Sequence, residues 1–175
     1  MKLKKIWKLL KQKIKGSLLV AIEDGMVVGK GVSVMGGVNF GSEPYLIELG
    51  DNVLISFNVQ FITHDGGTWA FYEFYEDIRD VVKFGSITVG DGAFIGAESI
   101  IMPGVTIGKH AVVGAGSLVT KDIPDETVWA GVPARQICTL REYAERCKAG
   151  VPEDFDLMAY RANKKDYLIN YYMKK

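Results

Sequence analysis

From Val89 onward the chain repeats itself every six residues: VGDGAF, IGAESI, IMPGVT, IGKHAV, VGAGSL, VTKDIP. The first position of each block reads Val89, Ile95, Ile101, Ile107, Val113, Val119, all β-branched aliphatics. The second is Gly90, Gly96, Gly108 and Gly114, with Met102 and Thr120 as exceptions, and the fifth is small or β-branched. A period of six fits neither the 3.6 of a helix nor the 2 of an ordinary strand. It describes a short strand, then a corner, repeated. The first-position aliphatic points into a narrow core, and the small residue four places on fits where that core tapers. Glycine beside the core residue suits a corner that needs positive φ or a close backbone approach. Each rung then pairs with the rungs above and below it, so the expected fold is an all-β solenoid of parallel strands.

A weaker copy of the grid lies upstream, at Val28, Val34, Phe40 and at Leu49, Ile55, Phe61. Two interruptions separate the copies. Gly41 to Glu48 shifts the phase briefly, and after Thr63-His64 the pattern fails until Ile87. Residues 65–86 are read as a loop ejected from the coil. Five aromatics in seven residues (Trp69, Phe71, Tyr72, Phe74, Tyr75) make it a partly ordered flap rather than a linker. Both ends read as helical. Leu3, Trp7, Leu10, Ile14 and Leu18 share one face of a basic amphipathic segment over 2–18. Helical segments are expected over Leu140–Lys148 and from about Pro152. The organisation is therefore an N-terminal helix (1–22), a coil (23–138) and a C-terminal helical extension (139–175).

Composition removes several classes. The 21 basic and 21 acidic residues cancel, so no global field marks a nucleic-acid binder. Cys138 and Cys147 form neither a CxxC motif nor a disulfide framework, which suits a reducing compartment and no zinc site. No apolar run approaches the roughly 18–20 residues of a membrane span, and Leu18 to Ile22 is too short for a signal-peptide core. The expected location is cytoplasmic. Seven lysines and no acid in residues 1–20 also fit a helix at the inner membrane surface. A helix on the base of the coil with solvated lysines is the favoured reading.

From about residue 28 to 138 the chain resembles the hexapeptide-repeat acyltransferases, in the branch of the galactoside, maltose and capsular-polysaccharide O-acetyltransferases. The resemblance rests on the six rungs from Val89, on VVGAGSLVTKDIP (Val112 to Pro124), and on WAGVPARQI (Trp129 to Ile137). It implies a left-handed coil, which the period alone does not reveal, and a homotrimer with active sites between neighbouring subunits. It also implies acetyl-CoA as donor and a hydroxyl of a sugar or polysaccharide precursor as acceptor.

His64 is the candidate catalytic residue. O-acetyl transfer requires a base to take the hydroxyl proton, and a neutral imidazole, with its unperturbed pKa of ~6.5, serves near neutral pH. His64 occupies the last regular position before the chain leaves the coil, where the family also keeps its histidine. The alternative is a surface histidine capping a turn. His110, the only other histidine, is expected to be a solvated corner residue. Two histidines cannot build the three-histidine zinc site of carbonic anhydrases on this coil, so no metal is expected.

By resemblance, acetyl-CoA would be met by Ala97 and Ala115, small corner residues beside the pantetheine arm, by Thr120 and Lys121, and by Arg135 near the phosphates. The two cations suit an anion-rich ligand; their alternative is ordinary surface charge. Asn39 falls roughly where related enzymes place an acceptor-binding asparagine, although the phase shift blurs the alignment. Asp65 would orient the imidazole, bind acceptor hydroxyls, or simply form a turn with Gly66-Gly67. Trp69 is read as stacking on a sugar ring or, by preference, packing within its own loop. Three other activities remain open: N-acetylation of an amino sugar nucleotide, acetylation of an antibiotic such as chloramphenicol or a streptogramin, and a non-catalytic assembly role.

Overall fold

The computed structural model describes residues 16–173, so most of the basic segment expected over 2–18 lies outside the described residues. Ser17–Glu23 forms a short helix, α1, that buries Val20 and Ala21. Thirteen short strands follow among the described residues, gathered into three sheets. The first face stacks Val27–Val28, Ile47–Leu49, Ile87–Val89 and Thr106–Ile107. The third stacks Gln60–Phe61, Ile100–Ile101 and Leu118–Val119. The second runs Ser33–Val34, Leu54–Ile55, Phe94–Ile95, Val112–Val113, Thr127–Gly131 and Ala134–Thr139. Every pairing is parallel except the last one, where Thr127–Gly131 and Ala134–Thr139 close the coil as an antiparallel hairpin.

The register states the coil's geometry. Phe94 pairs with Val112, Ile100 with Leu118 and Thr88 with Thr106, so one turn takes eighteen residues, three hexapeptides. First-position residues from Val89 to Val119 are no more than 1% exposed, and fifth-position residues from Ala93 to Ile123 no more than 2%. Sixth-position residues such as Ile100 and Leu118 face outward. A β-branched residue at the first position fills each layer with a stiff rotamer.

For the second-position glycines, the structure selects close approach over positive φ. A Cβ on Gly96 would lie 2.5 Å from the Ala115 nitrogen, and one on Gly90 2.7 Å from the Lys109 nitrogen. Positive φ falls two residues later, at Gly92, Glu98, Gly104, His110 and Gly116. His110 is exposed at such a corner, with φ of 52°.

The two interruptions sit at one edge of the coil, the corner after the third face. Between the first and second turns the register advances by 21 residues (Val27 to Glu48, Val34 to Ile55), three more than a regular turn. Between the second and third it advances by 40 (Ile47 to Ile87, Leu54 to Phe94), which is eighteen plus the twenty-two residues of 65–86. The same corner in later turns carries no insertion: at Met102-Pro103-Gly104 the register advances by 18 (Thr88 to Thr106), and at Thr120-Lys121-Asp122 by 16 (Ile107 to Ile123, Val112 to Val128).

A boundary between two compact units falls after Arg141. Helix α2 spans Leu140–Ala149, α3 Leu157–Ala162 and α4 Lys164–Tyr172. The segment expected from Pro152 thus begins five residues later and divides in two. Asp156 caps α3 by accepting from the Met158 and Ala159 nitrogens at 2.8 and 3.0 Å, and Asn163 ends it and caps α4. Phe155, Tyr160, Tyr167 and Tyr171 pack edge to face and stacked around this turn.

Candidate active site

His64 lies at the twice-interrupted corner, where the ejected loop leaves the coil. The loop is pinched at its neck. The Asp65 nitrogen donates to the Lys83 carbonyl and the Gly85 nitrogen to the Thr63 carbonyl, both at 2.9 Å, with His64 and Phe84 facing across the bridge. The Phe84 ring lies tilted beside the imidazole at 6.1 Å. The neck fixes the backbone of His64 from both sides while leaving its side chain 47% exposed.

The other interruption supplies the partner. Within the three-residue insertion, Glu43 turns its carboxylate onto the corner above. Its Oε2 accepts from the Thr63 hydroxyl at 2.7 Å and faces His64 Nδ1 at 3.0 Å. The Glu43 side chain is only 16% exposed. Burial pushes its carboxyl up, but hydrogen bonds from Thr63, Ser42 and His64 and the charge of the imidazolium outweigh this, holding it below the ordinary value. An ionised carboxylate can only accept, so the neutral form of the His64 ring carries its proton on Nδ1 and has its lone pair on Nε2. Sequence reading missed Glu43, because its segment registers only as a loss of phase. One signal was present: the phase breaks twice, eighteen coil residues apart, at the same corner.

The remaining candidates divide into three groups. Asn39 sits in the first turn, bridged to Gln60, so the three-residue insertion falls after it. Its side chain donates to Gln60 Oε1 and accepts from the Gly41 nitrogen, each at 3.0 Å, at the start of the segment carrying Glu43. Of the readings open for Asp65, the turn is the one its hydrogen bond shows: its Oδ1 accepts from the Gly67 nitrogen at 2.9 Å and caps a 3₁₀ helix over Gly66–Phe71. That backbone hydrogen bond, with Lys83 at 3.5 Å, lowers its carboxyl below the ordinary value. Trp69, expected by preference to pack within its loop, is instead 80% exposed, although one ring face stacks on Tyr72.

Ala97 and Ala115 stack one turn apart at the corner after the second face, where the Gly116 nitrogen donates to the Ala97 carbonyl at 2.7 Å. Arg135 joins this column, because it pairs with Ala130, and Ala130 sits over Gly114. Its Nη1 donates to the Ala134 carbonyl at 2.8 Å and the residue is exposed. Thr120 and Lys121 lie at a different edge, the His64 corner, two turns on, both exposed. Within one chain the five positions therefore occupy two edges. Among the described residues no group of three or more His, Cys, Asp or Glu side chains is arranged to hold a metal. Among the described residues no helix is long and apolar enough to cross a membrane.

Comparison with known proteins agrees with the hexapeptide coil. Residues 86–121 match the family described as bacterial transferase hexapeptide (six repeats). Protein CapG of Staphylococcus aureus is 40% identical over 131 residues, covering 75% of this chain and 73% of that protein. Galactoside O-acetyltransferase of Escherichia coli is 42% identical over 108 residues, 61% of this chain and 49% of that enzyme, so the chain spans about half of its length. Among solved structures, a hexapeptide-repeat acetyltransferase of Vibrio cholerae complexed with acetyl coenzyme A superposes with a TM-score of 0.55. It is 28% identical, over 66% of this chain and 61% of that one. A maltose O-acetyltransferase of Clostridium difficile gives 0.54 at 29% identity, over 71% and 75%. With the eighteen-residue coil in the structure and a relative covered over nearly three quarters of its length, the chain belongs to the hexapeptide-repeat bacterial transferases.

Proposed function

We propose that this protein is an acetyl-CoA-dependent O-acetyltransferase, built on a left-handed coil, that acts on a hydroxyl of a sugar or polysaccharide precursor. The observation that carries the reading is the Glu43–His64 pair, in which a carboxylate engages Nδ1 of a half-exposed imidazole and leaves Nε2 for the acceptor. Acetyl transfer to oxygen needs a base of that kind. Nε2 takes the proton from the acceptor hydroxyl as its oxygen attacks the thioester carbonyl. The carbon–sulfur bond then breaks, CoA leaves as thiolate, and the imidazolium returns the proton to sulfur. Glu43 holds the ring by Nδ1 and stabilises the imidazolium between the two transfers, without itself being protonated.

Acetyl-CoA fits the residues present. Ala97 and Ala115 leave the corner without bulky side chains, so a pantetheine arm can lie against backbone N–H and C=O groups. Arg135 and Lys121 are exposed cations suited to its phosphates, and Thr120 adds a hydroxyl. Because these positions fall on two edges, the site is proposed to form between copies in a homotrimer, one contributing the alanine column and its neighbour the His64 corner. Asn39 is assigned to the acceptor side.

The relatives support the same chemistry through their names, and none of the observed residues demands another donor. N-acetylation of a nucleotide sugar, antibiotic acetylation and a non-catalytic assembly role make different predictions in one assay. Thiol release from acetyl-CoA is followed with neutral glycosides, amino sugar nucleotides and chloramphenicol, for wild type and His64→Ala. Glycoside-dependent release that the variant loses, with trimer mass unchanged, is the expected result. Release with only the nucleotide sugar or the antibiotic replaces the acceptor class, and absence of CoA binding removes the enzyme reading.

A further inference from the structure

The flap carries an arrangement that neither the coil nor the His64–Glu43 pair uses. On the 3₁₀ turn over Gly66–Phe71, residues three apart eclipse one another, so Trp69 and Tyr72 lie face to face. Their ring centroids are 5.9 Å apart with planes only 6° from parallel. Arg79 steadies Tyr72, with its guanidinium 5.7 Å from the ring centre and its Nε donating to the Tyr72 carbonyl at 3.3 Å. Trp69 nevertheless remains 80% exposed, leaving a flat aromatic surface five residues from His64 on a turn capped by Asp65. The charges of the flap are one-sided. Lys83 is taken by Asp65 and Arg79 by Tyr72, while Glu73, Glu76, Asp77 and Asp80 form no ion pair among the described residues.

We propose that Trp69, backed by Tyr72 and Arg79, is the platform on which the acceptor stacks, and that the acceptor presents an uncharged pyranose ring there. The proposal rests on the transferase reading and narrows it. A pyranose has an apolar face of C–H bonds, which matches a tryptophan face, and a rim of hydroxyl donors, which matches carboxylates that can only accept. A uronic acid, a sialic acid or a diphosphate sugar would bring its anion against unpaired carboxylates. An acyclic amino-acid acceptor would leave the platform unused.

Two measurements test it. The first is steady-state thiol release with methyl galactopyranoside, methyl glucopyranoside, methyl galacturonoside and serine. The expected result is turnover with the neutral rings, and a galacturonoside kcat/KM about tenfold lower whose deficit shrinks at high salt. Trp69→Ala should raise the acceptor KM about tenfold with kcat and the acetyl-CoA KM nearly unchanged. Trp69→Phe should recover most of that loss, and Phe74→Ala, at a ring 81% exposed and outside the stack, should behave as wild type. An unchanged acceptor KM in Trp69→Ala, or better turnover of galacturonoside or serine, overturns the proposal. The second is titration of the full chain with methyl galactopyranoside, following the Trp69 indole N–H by NMR. A saturable shift supports the platform even if no transfer is found, and no shift overturns it. Failure of the transferase reading reads out separately, as absent CoA binding or thiol release that survives His64→Ala.

Discussion

The corner after the third face occurs in successive turns of one coil, and it is built in two ways. At Met102-Pro103-Gly104 the chain rounds it in regular register, and at Thr120-Lys121-Asp122 it rounds it two residues short, with Ile123 bridged to Ile107. One turn below, the same corner holds Thr63 and His64, preceded by an insertion that brings in Glu43 and followed by the twenty-two residues of 65–86. The uninterrupted corners need only to pass the chain from strand to strand. The interrupted corner gathers a carboxylate, an imidazole and an aromatic flap from segments separated in sequence. A repeat protein supplies identical edges for stability and acquires chemistry where one edge departs from the repeat.

That contrast is open to direct attack. His64→Ala should cost about 10²–10⁴-fold in turnover while leaving CoA binding and oligomer mass unchanged, read by thiol release and light scattering. If the loss is severalfold only, the interrupted corner is not where the proton moves. Ile101→Ala, beneath the regular corner and 0% exposed, should destabilise the coil by about 2–5 kcal/mol in denaturant unfolding. Its activity under native conditions should survive, separating the edge that holds the fold from the edge proposed for the chemistry.

Glu43→Gln should lower kcat by about 10–100-fold, as expected for removing one hydrogen bond to a charged group, with the acetyl-CoA KM unmoved. The same variant has a signature in stability. Because the folded protein holds the Glu43 carboxyl below its usual value of 4.5, its contribution is complete above that pH and is lost as pH falls through the lower folded value. Wild type and Glu43→Gln should therefore converge in unfolding free energy only below about pH 4.5. Gly96→Ala should cost about 1–3 kcal/mol, since the added methyl meets the Ala115 backbone rather than a movable side chain. Asp156→Ala should remove about 1 kcal/mol of capping from α3, seen as faster amide exchange over 157–162 with the coil unaffected.

Much of this architecture could be read before any coordinates. A six-residue period in β-branched residues admits few structures, because each turn must repeat the same backbone path over a core one side chain deep. The first and fifth positions follow directly, as does the length of the ejected loop, since a broken period reports where the coil stops and resumes. His64 was legible for the same reason: it is the last residue in phase. Conformation at the glycines was only half legible, because close approach and positive φ both select glycine, and the sequence cannot separate the two when His110 and Glu98 accept positive φ without it. Trp69 was misplaced because composition reports that a loop is aromatic, not which ring faces water.

Sequence alone determined the period, the core positions, the coil's two interruptions and the histidine beside the longer one. Tertiary structure decided that both interruptions share an edge, that Glu43 reaches His64 across twenty-one residues of chain, and that the alanine column and Lys121 lie on different edges. The physical reason is the register. Periodicity fixes which residues face inward along the chain, whereas contacts across the coil depend on how many residues each turn consumes, and that number is set only when the strands pair.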